Sequence, residues 1–241
     1  MQTTKLYHCT NFDSLCSILK SGAFWPSYCY EKADYLKEPE NFAFAMVCFA
    51  DLMKNEVKPH LKKFNKDCYI QLSKSWGRRN ALSNVIYYGK PSVVSSTFKL
   101  LLDGIIQRHD ENVGMMTNEV RFASMLMAYF KQYEGYYWND KEECWSDTTT
   151  VFYTEREWRY VPLVQNNEAF YLSPEEFLDK KFRKEKRDEL IVRGYTLKFE
   201  WNDIEKIGVH NIKQWSIICN YFVYGLKHDP LEVFNKIKIV W

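Results

Sequence analysis

The sequence predicts an α+β fold. Three observations carry this: an early strand that runs straight into a capped helix, a central stretch of helical periodicity, and a C-terminal half in which short strand candidates recur. No Pro-rich, Gly/Ser-rich or low-complexity linker divides the 241 residues, so one domain over residues 1–241 is expected. An aromatic share of 17% excludes a disordered chain and predicts a core rich in Phe, Tyr and Trp. Lys and Arg exceed Asp and Glu by 33 − 31 = 2, so no global field demands nucleic acid or an anionic membrane. With no apolar signal region near Met1 and no apolar run of spanning length, a cytoplasmic protein without a membrane partner is expected. Seven scattered cysteines with no C-x-x-C pair predict free thiols. No zinc spacing is present, and Cys48 with His60 would supply only two of four ligands.

Taken in order, Lys5 to Cys9 reads as a strand, and Thr10 or Asn11 caps a helix carrying Phe12, Leu15, Cys16 and Leu19 at helical spacing. Gly22 stops that helix. The nearly continuous apolar run Phe42 to Leu52 fits a strand covered on both faces or a short buried helix. Lys54 to Lys66 is irregular or briefly helical, Cys68 to Ser73 alternates as a strand, and Ser73 is placed to cap the next turn. Asn84 to Tyr88 is a further strand, ended by Gly89-Lys90-Pro91. Ser92 to Arg108 and Asn118 to Tyr133 carry apolar residues three and four apart, which predicts a helical insert over about 92–133.

After the aromatic loop at Tyr136, Tyr137 and Trp138, a strand is predicted from Val151 to Val164. Its alternation places Glu155, Glu157 and Arg159 on one face and Arg156, Trp158 and Tyr160 on the other. Two acids at this spacing raise each other's pKa unless a cation compensates, and Arg159 is the local one; the bland alternative is a solvated ion-pair ladder. Ser173-Pro174-Glu175-Glu176 is a capping box opening a helix to about Leu190, whose mixed charges read as a solvated face. Leu190 to Val192, Tyr195 to Phe199, Ile207 to Val209 and Ile237 to Val240 are strand candidates, with a helix at Ile212 to Tyr224.

The sequence contains no G-x-G-x-x-G, Walker loop, H-E-x-x-H or G-x-S-x-G, which removes the Rossmann, P-loop, zincin and α/β-hydrolase readings. What remains is Leu6-Tyr7-His8-Cys9-Thr10, then Ser17-Ile18-Leu19-Lys20-Ser21-Gly22 and Pro26-Ser27, an opening that resembles the first module of ADP-ribosyltransferase-fold proteins. Glu155-Arg156-Glu157 is similar to the E-x-E element of that fold. With Met46 to Asp51, Asn84 to Tyr88 and Phe152 to Pro162, the chain more narrowly resembles the AbiGi family of bacterial abortive-infection proteins.

The resemblance implies a split, twisted sheet and a protein that transfers ADP-ribose from NAD to a protein or nucleic-acid acceptor. Glu157 is then the catalytic carboxylate at the anomeric carbon, where an oxocarbenium-like charge develops, and Glu155 orients or deprotonates the acceptor. His8 holds a ribose hydroxyl with Thr10 fixing its surroundings. The later Tyr and Ser positions fall on Tyr69 and Ser73, with Tyr87 and Tyr88 as rivals for the ring over nicotinamide. Arg159, or the pair Arg78 and Arg79, meets the pyrophosphate. AbiGi-like chains are also regarded as antitoxins, which implies instead a binding module for a cognate toxin, docking through Tyr136, Tyr137 and Trp138. A third reading is RNA binding by the basic helix at Lys180 to Arg187.

Overall fold

The computed structural model describes residues 4–35, 40–110, 118–164 and 170–240. The chain opens with strand β1 (Lys5–Thr10) and helix α1 (Phe12–Ser21). Of the two candidate caps Asn11 takes the role, its side chain accepting from the Ser14 N–H, and Gly22 ends α1 at φ 63°, where a side chain would be strained. β2 (Ala23–Phe24), β3 (Ser27–Ala33) and β4 (Glu40–Leu52) follow, so the apolar run at 42–52 is strand throughout. Then come α2 (Val57–Lys63), β5 (Cys68–Leu72) and α3 (Lys74–Arg79), the last capped by the Ser73 hydroxyl through the Trp76 N–H.

The predicted 84–88 strand divides into β6 (Ser83–Asn84) and β7 (Ile86–Tyr88), which join different sheets. The insert holds α4 (Val93–Asp110) and α5 (Asn118–Met127); its part at 111–117 lies outside the described residues. The second helix was expected to reach Tyr133, but it ends at Met127, and β8 (Phe130–Gln132) pairs in parallel with β7. Burial of Phe130 against Phe98, rings stacked 3.8 Å apart, wins over the helical spacing. Two small hairpin pairings follow, β9 (Glu134–Gly135) with β12 (Thr150–Val151) and β10 (Trp138–Asn139) with β11 (Cys144–Trp145).

The long strand expected from Val151 to Val164 is the main correction. Phe152–Glu155 is a 3-10 turn, Arg156 sits in the left-handed region at φ 46°, and only Trp158–Tyr160 forms the strand β13. Arg156 turns outward because its guanidinium donates to the Asp51 carbonyl at 2.7 Å and pairs with Glu56. β14 (Tyr171–Leu172) follows, and the helix after the capping box breaks at Asp179 into α6 (Pro174–Leu178) and α7 (Lys180–Val192), so Leu190 to Val192 is helix and not strand. The chain closes with β15 (Leu197–Lys198), β16 (Ile204–Val209), α8 (Ile212–Asn220), α9 (Pro230–Lys236) and β17 (Ile237–Ile239).

The main sheet runs β17-β16-β5-β1-β4-β13-β6, with β3 and β14 also on β4, and this mixture with helices is α+β. β4 is the strand on which the sheet forks. Its first half, Glu40 to Met46, pairs with β3, whereas β1 pairs only with Ala50 to Leu52. The stretch between, Val47 to Phe49, pairs with β13. One core, with Leu6, Ile70, Trp76 and Trp158, lies under α1, α3 and α8; a second, with Phe44, Phe98, Phe130 and Phe177, lies under the insert and α6. A small third cluster joins Tyr7 and Ala50 to Val57 and Leu61 of α2.

Candidate functional site

A cleft of about 1530 Å³ opens beside the fork, lined from β1, β3, β4, α2, β8, the 3-10 turn and α7. Its floor rests on a cluster of charges, of which Glu155, Glu157 and Arg159 are buried and Glu31 and Lys131 partly so. β13 carries Arg159, fully buried, which donates from Nε to Glu157 Oε1 at 2.8 Å and from Nη1 to Glu31 Oε2 at 2.9 Å, and also reaches the Ala128 carbonyl. Lys131 of β8 donates to Glu157 Oε2 at 2.6 Å and stands 3.7 Å from Glu31 and 3.9 Å from Glu155. Its ammonium also lies 4.7 Å from the Phe152 ring centroid. The Tyr87 hydroxyl receives the Glu157 backbone N–H at 2.8 Å. Three carboxyls thus meet two cations.

The imbalance falls on Glu155. Burial pushes its pKa up to about 7, with Lys131 opposing and Glu157 assisting, and its Oε1 is buried without a hydrogen-bond partner among the described residues. Glu157 goes the other way. Burial would raise its pKa too, but Arg159 and Lys131 outweigh burial and hold the carboxyl far below the usual range. For Lys131 burial works against the charge, and Glu155, Glu157 and Glu31 together reverse that and push its pKa well up. His60 of α2 also lines the cleft; burial, then Lys63 and Lys131, lowers it to about 4, so it is neutral near pH 7.

His8 stands at the fork. Its Nδ1 lies 3.0 Å from the Cys48 carbonyl, to which the Nδ1–H tautomer donates, and its ring packs on the edges of Phe24 and Phe49. Burial lowers its pKa to about 4, against the pull of that hydrogen bond. Strand alternation puts His8 on the face of Phe49 and Trp158, while Glu157 and Arg159 occupy the opposite face. The cleft reaches both because β1 leaves β4 after Tyr7.

Of the residues picked out in the sequence, His8, Thr10, Glu155 and Glu157 line this cleft; Tyr69, Ser73, Tyr88 and Arg159 do not. Tyr69 packs edge-on to Tyr7 at 5.2 Å and lies against Gly208, where an added Cβ would meet its ring at 2.1 Å. Ser73 is occupied as the cap of α3, and the Tyr88 hydroxyl donates to Asp34 at 2.8 Å within the second core. Arg159 is consumed by the floor, and Arg79 pairs with Asp203 outside the cleft. Trp138, expected in an exposed patch, packs against Tyr30, Trp145 and Phe177, which leaves Tyr136 as the exposed ring of the three. Cys48 and His60 both line the cleft, yet among the described residues no three His, Cys, Asp or Glu side chains converge as metal ligands. No helix among the described residues is long and apolar enough to cross a membrane.

Sequence reading missed Lys131 and Glu31, and weighed His60 only as a zinc ligand. Lys131 had a usable signal, a cation directly after the apolar run Met125 to Phe130, but the pairing of β8 with β7 is a tertiary event.

Residues 22–210 match the model of the family described as "Putative abortive phage resistance protein AbiGi, antitoxin". The chain belongs to the AbiGi family. No curated protein and no solved structure matches the chain. The AbiGi match covers all five members of the charged floor, whereas His8 and Thr10 precede it and α8, α9 and β17 follow it. Membership makes this a component of abortive phage resistance, of the kind described as an antitoxin.

Proposed function

We propose that this AbiGi-family chain binds NAD in the cleft and transfers its ADP-ribose to a macromolecular acceptor during phage defence. The observation that carries the reading is Glu155, a buried carboxyl with an unpartnered oxygen in the same cleft as His8 and Thr10. A carboxyl titrating near 7 suits general base work at neutral pH. The walls add the charge a pyrophosphate needs: Lys32, Lys62, Lys66 and Lys141 line the cleft and make no ion pair among the described residues. These lysines replace Arg159 and the Arg78–Arg79 pair as phosphate ligands.

Roles within E-x-E shift accordingly. Glu157 has both oxygens engaged by Arg159 and Lys131, so it anchors the floor. Glu155, when ionised, faces the anomeric carbon, where the bond to nicotinamide breaks and nicotinamide leaves neutral with the bonding electrons. The acceptor oxygen or nitrogen then bonds that carbon and gives its proton to Glu155. His8 offers its Nε2 to a ribose hydroxyl, since Nδ1 is held by Cys48. Labelled NAD with candidate protein, DNA and RNA acceptors tests this: Glu155→Gln is expected to lose about 10² to 10⁴ in rate while binding NAD. Equal turnover by wild type and Glu155→Gln, or no NAD binding by either, sinks the reading.

A second reading is a binding module for a cognate toxin. Exposed apolar side chains on the insert favour it, with Val94 and Leu101 one heptad apart on α4 and Phe122 and Leu126 one turn apart on α5. Co-purification with the toxin that survives Glu155→Gln and fails on Leu101→Glu or Phe122→Glu distinguishes it.

A further inference from the structure

The wall of the cleft holds two cysteines whose chemistry the NAD reading does not use. Cys29 of β3 and Cys48 of β4 bring their Sγ atoms to 4.0 Å, and both side chains are partly exposed and line the cleft. The other thiols are placed differently: Cys68 and Cys219 are buried, and Cys144 is exposed on β11. Cys9 lines the same cleft on β1 and is the neighbouring competitor.

We infer that Cys29 and Cys48 are an oxidisable dithiol, which a hydroperoxide converts into a disulfide across the wall of the cleft. The Cys29 thiolate attacks the outer oxygen of the hydroperoxide; the S–O bond forms as the O–O bond breaks, leaving a sulfenic acid at Cys29, and the departing alkoxide, or hydroxide from hydrogen peroxide, takes up through solvent the proton that the Cys29 thiol had given up. The Cys48 sulfur then attacks Cys29 Sγ; the S–O bond breaks, hydroxide leaves with the Cys48 proton as water, and the S–S bond forms. Two thiols have lost two electrons to the peroxide. The division of roles follows from their surroundings, because contact with Cys29 and burial push the Cys48 thiol well up, leaving it the protonated partner that resolves.

The sulfurs must close by about 2 Å to reach a disulfide bond length, and because Cys29 has Phe44 as its register partner, with Cys48 farther along β4, the backbones of β3 and β4 must move together with them. That movement acts on the fork. Cys48 accepts the His8 hydrogen bond through its carbonyl and is the register partner of Arg159, so the cross-link ties β3 to the point where the sheet parts. Oxidation is expected to stiffen Val47 to Phe49.

The full chain, reduced and then treated with hydrogen peroxide, provides the test. The expected product is an intact monomer lighter by two hydrogens, with Cys29 and Cys48 peptides linked, reversal by dithiothreitol, a Tm raised by several degrees and slower amide exchange at 47–49. Cys29→Ser, a near-isosteric change at a partly exposed site, should abolish the linked peptide and the Tm shift. A Cys9–Cys48 link, a link between chains, a stable sulfinic acid at a single cysteine, or unreacted thiols at both positions would each overturn the inference, and all are read on the wild type.

Discussion

The 3-10 turn ending in Glu155 and the start of β13 just after Glu157 are two residues apart and electrostatically opposite. Glu157 enters beside the strand that carries Arg159 and is met by Lys131 from the neighbouring β7–β8 pair, so its charge is paid for twice over. Glu155 arrives by a turn, out of reach of Arg159 and 3.9 Å from an ammonium already bonded elsewhere. Equal sequence spacing therefore says little about buried carboxylates; which cations each can touch decides its ionisation.

Breaking the paired side should have the largest effect. Arg159→Met leaves Glu157 buried and Glu31 half-buried beside a single lysine, and a loss of about 3–5 kcal/mol in denaturant unfolding is expected. Lys131→Met is milder, about 2 kcal/mol, because Glu157 keeps Arg159. It should also sharpen the contrast: with its main opposing charge gone, the Glu155 pKa rises further, visible by carboxyl NMR titration.

Stability against pH separates the two sides again. His8 and His60 titrate near 4 when folded and near 6.5 when unfolded, so the unfolded chain binds more protons across that window and stability is lost as pH falls through it. Glu155, raised from 4.5 to about 7, acts oppositely, and stability falls as pH rises through that interval. Two groups outweigh one between about 4.5 and 6.5, so net stability declines on acidification, and Glu155→Gln should steepen that decline. The smallest effect is expected away from the cleft: Ser73→Ala removes a helix cap, about 1 kcal/mol, and under the proposed function leaves NAD binding unchanged. Lost NAD binding in that variant would instead return Ser73 to the site.

Local chemistry was legible in the sequence. The Gly22 stop, the Ser173–Glu176 capping box and the Ser73 cap depend on residues a few positions apart, and each stands as expected, whereas the apolar run 42–52 left strand and helix open until the structure resolved it as strand. The E-x-E segment and His8 were also legible as candidates and do line one cleft. The Val151 to Val164 strand was misread because alternation cannot register a left-handed residue such as Arg156, whose conformation is held by Asp51 and Glu56 from β4 and the turn after it. The helix to Tyr133 was misread because Phe130 meets its stacking partner Phe98 only after folding.

The sequence by itself determined the α+β class, the AbiGi likeness and the two acids of the E-x-E segment. Only the tertiary structure decided which acid keeps an unpartnered oxygen. Charge compensation acts between side chains across strands, and Lys131 and Glu31, 26 and 128 residues from the acid and the arginine they bind, are brought in by pairings that no local pattern encodes.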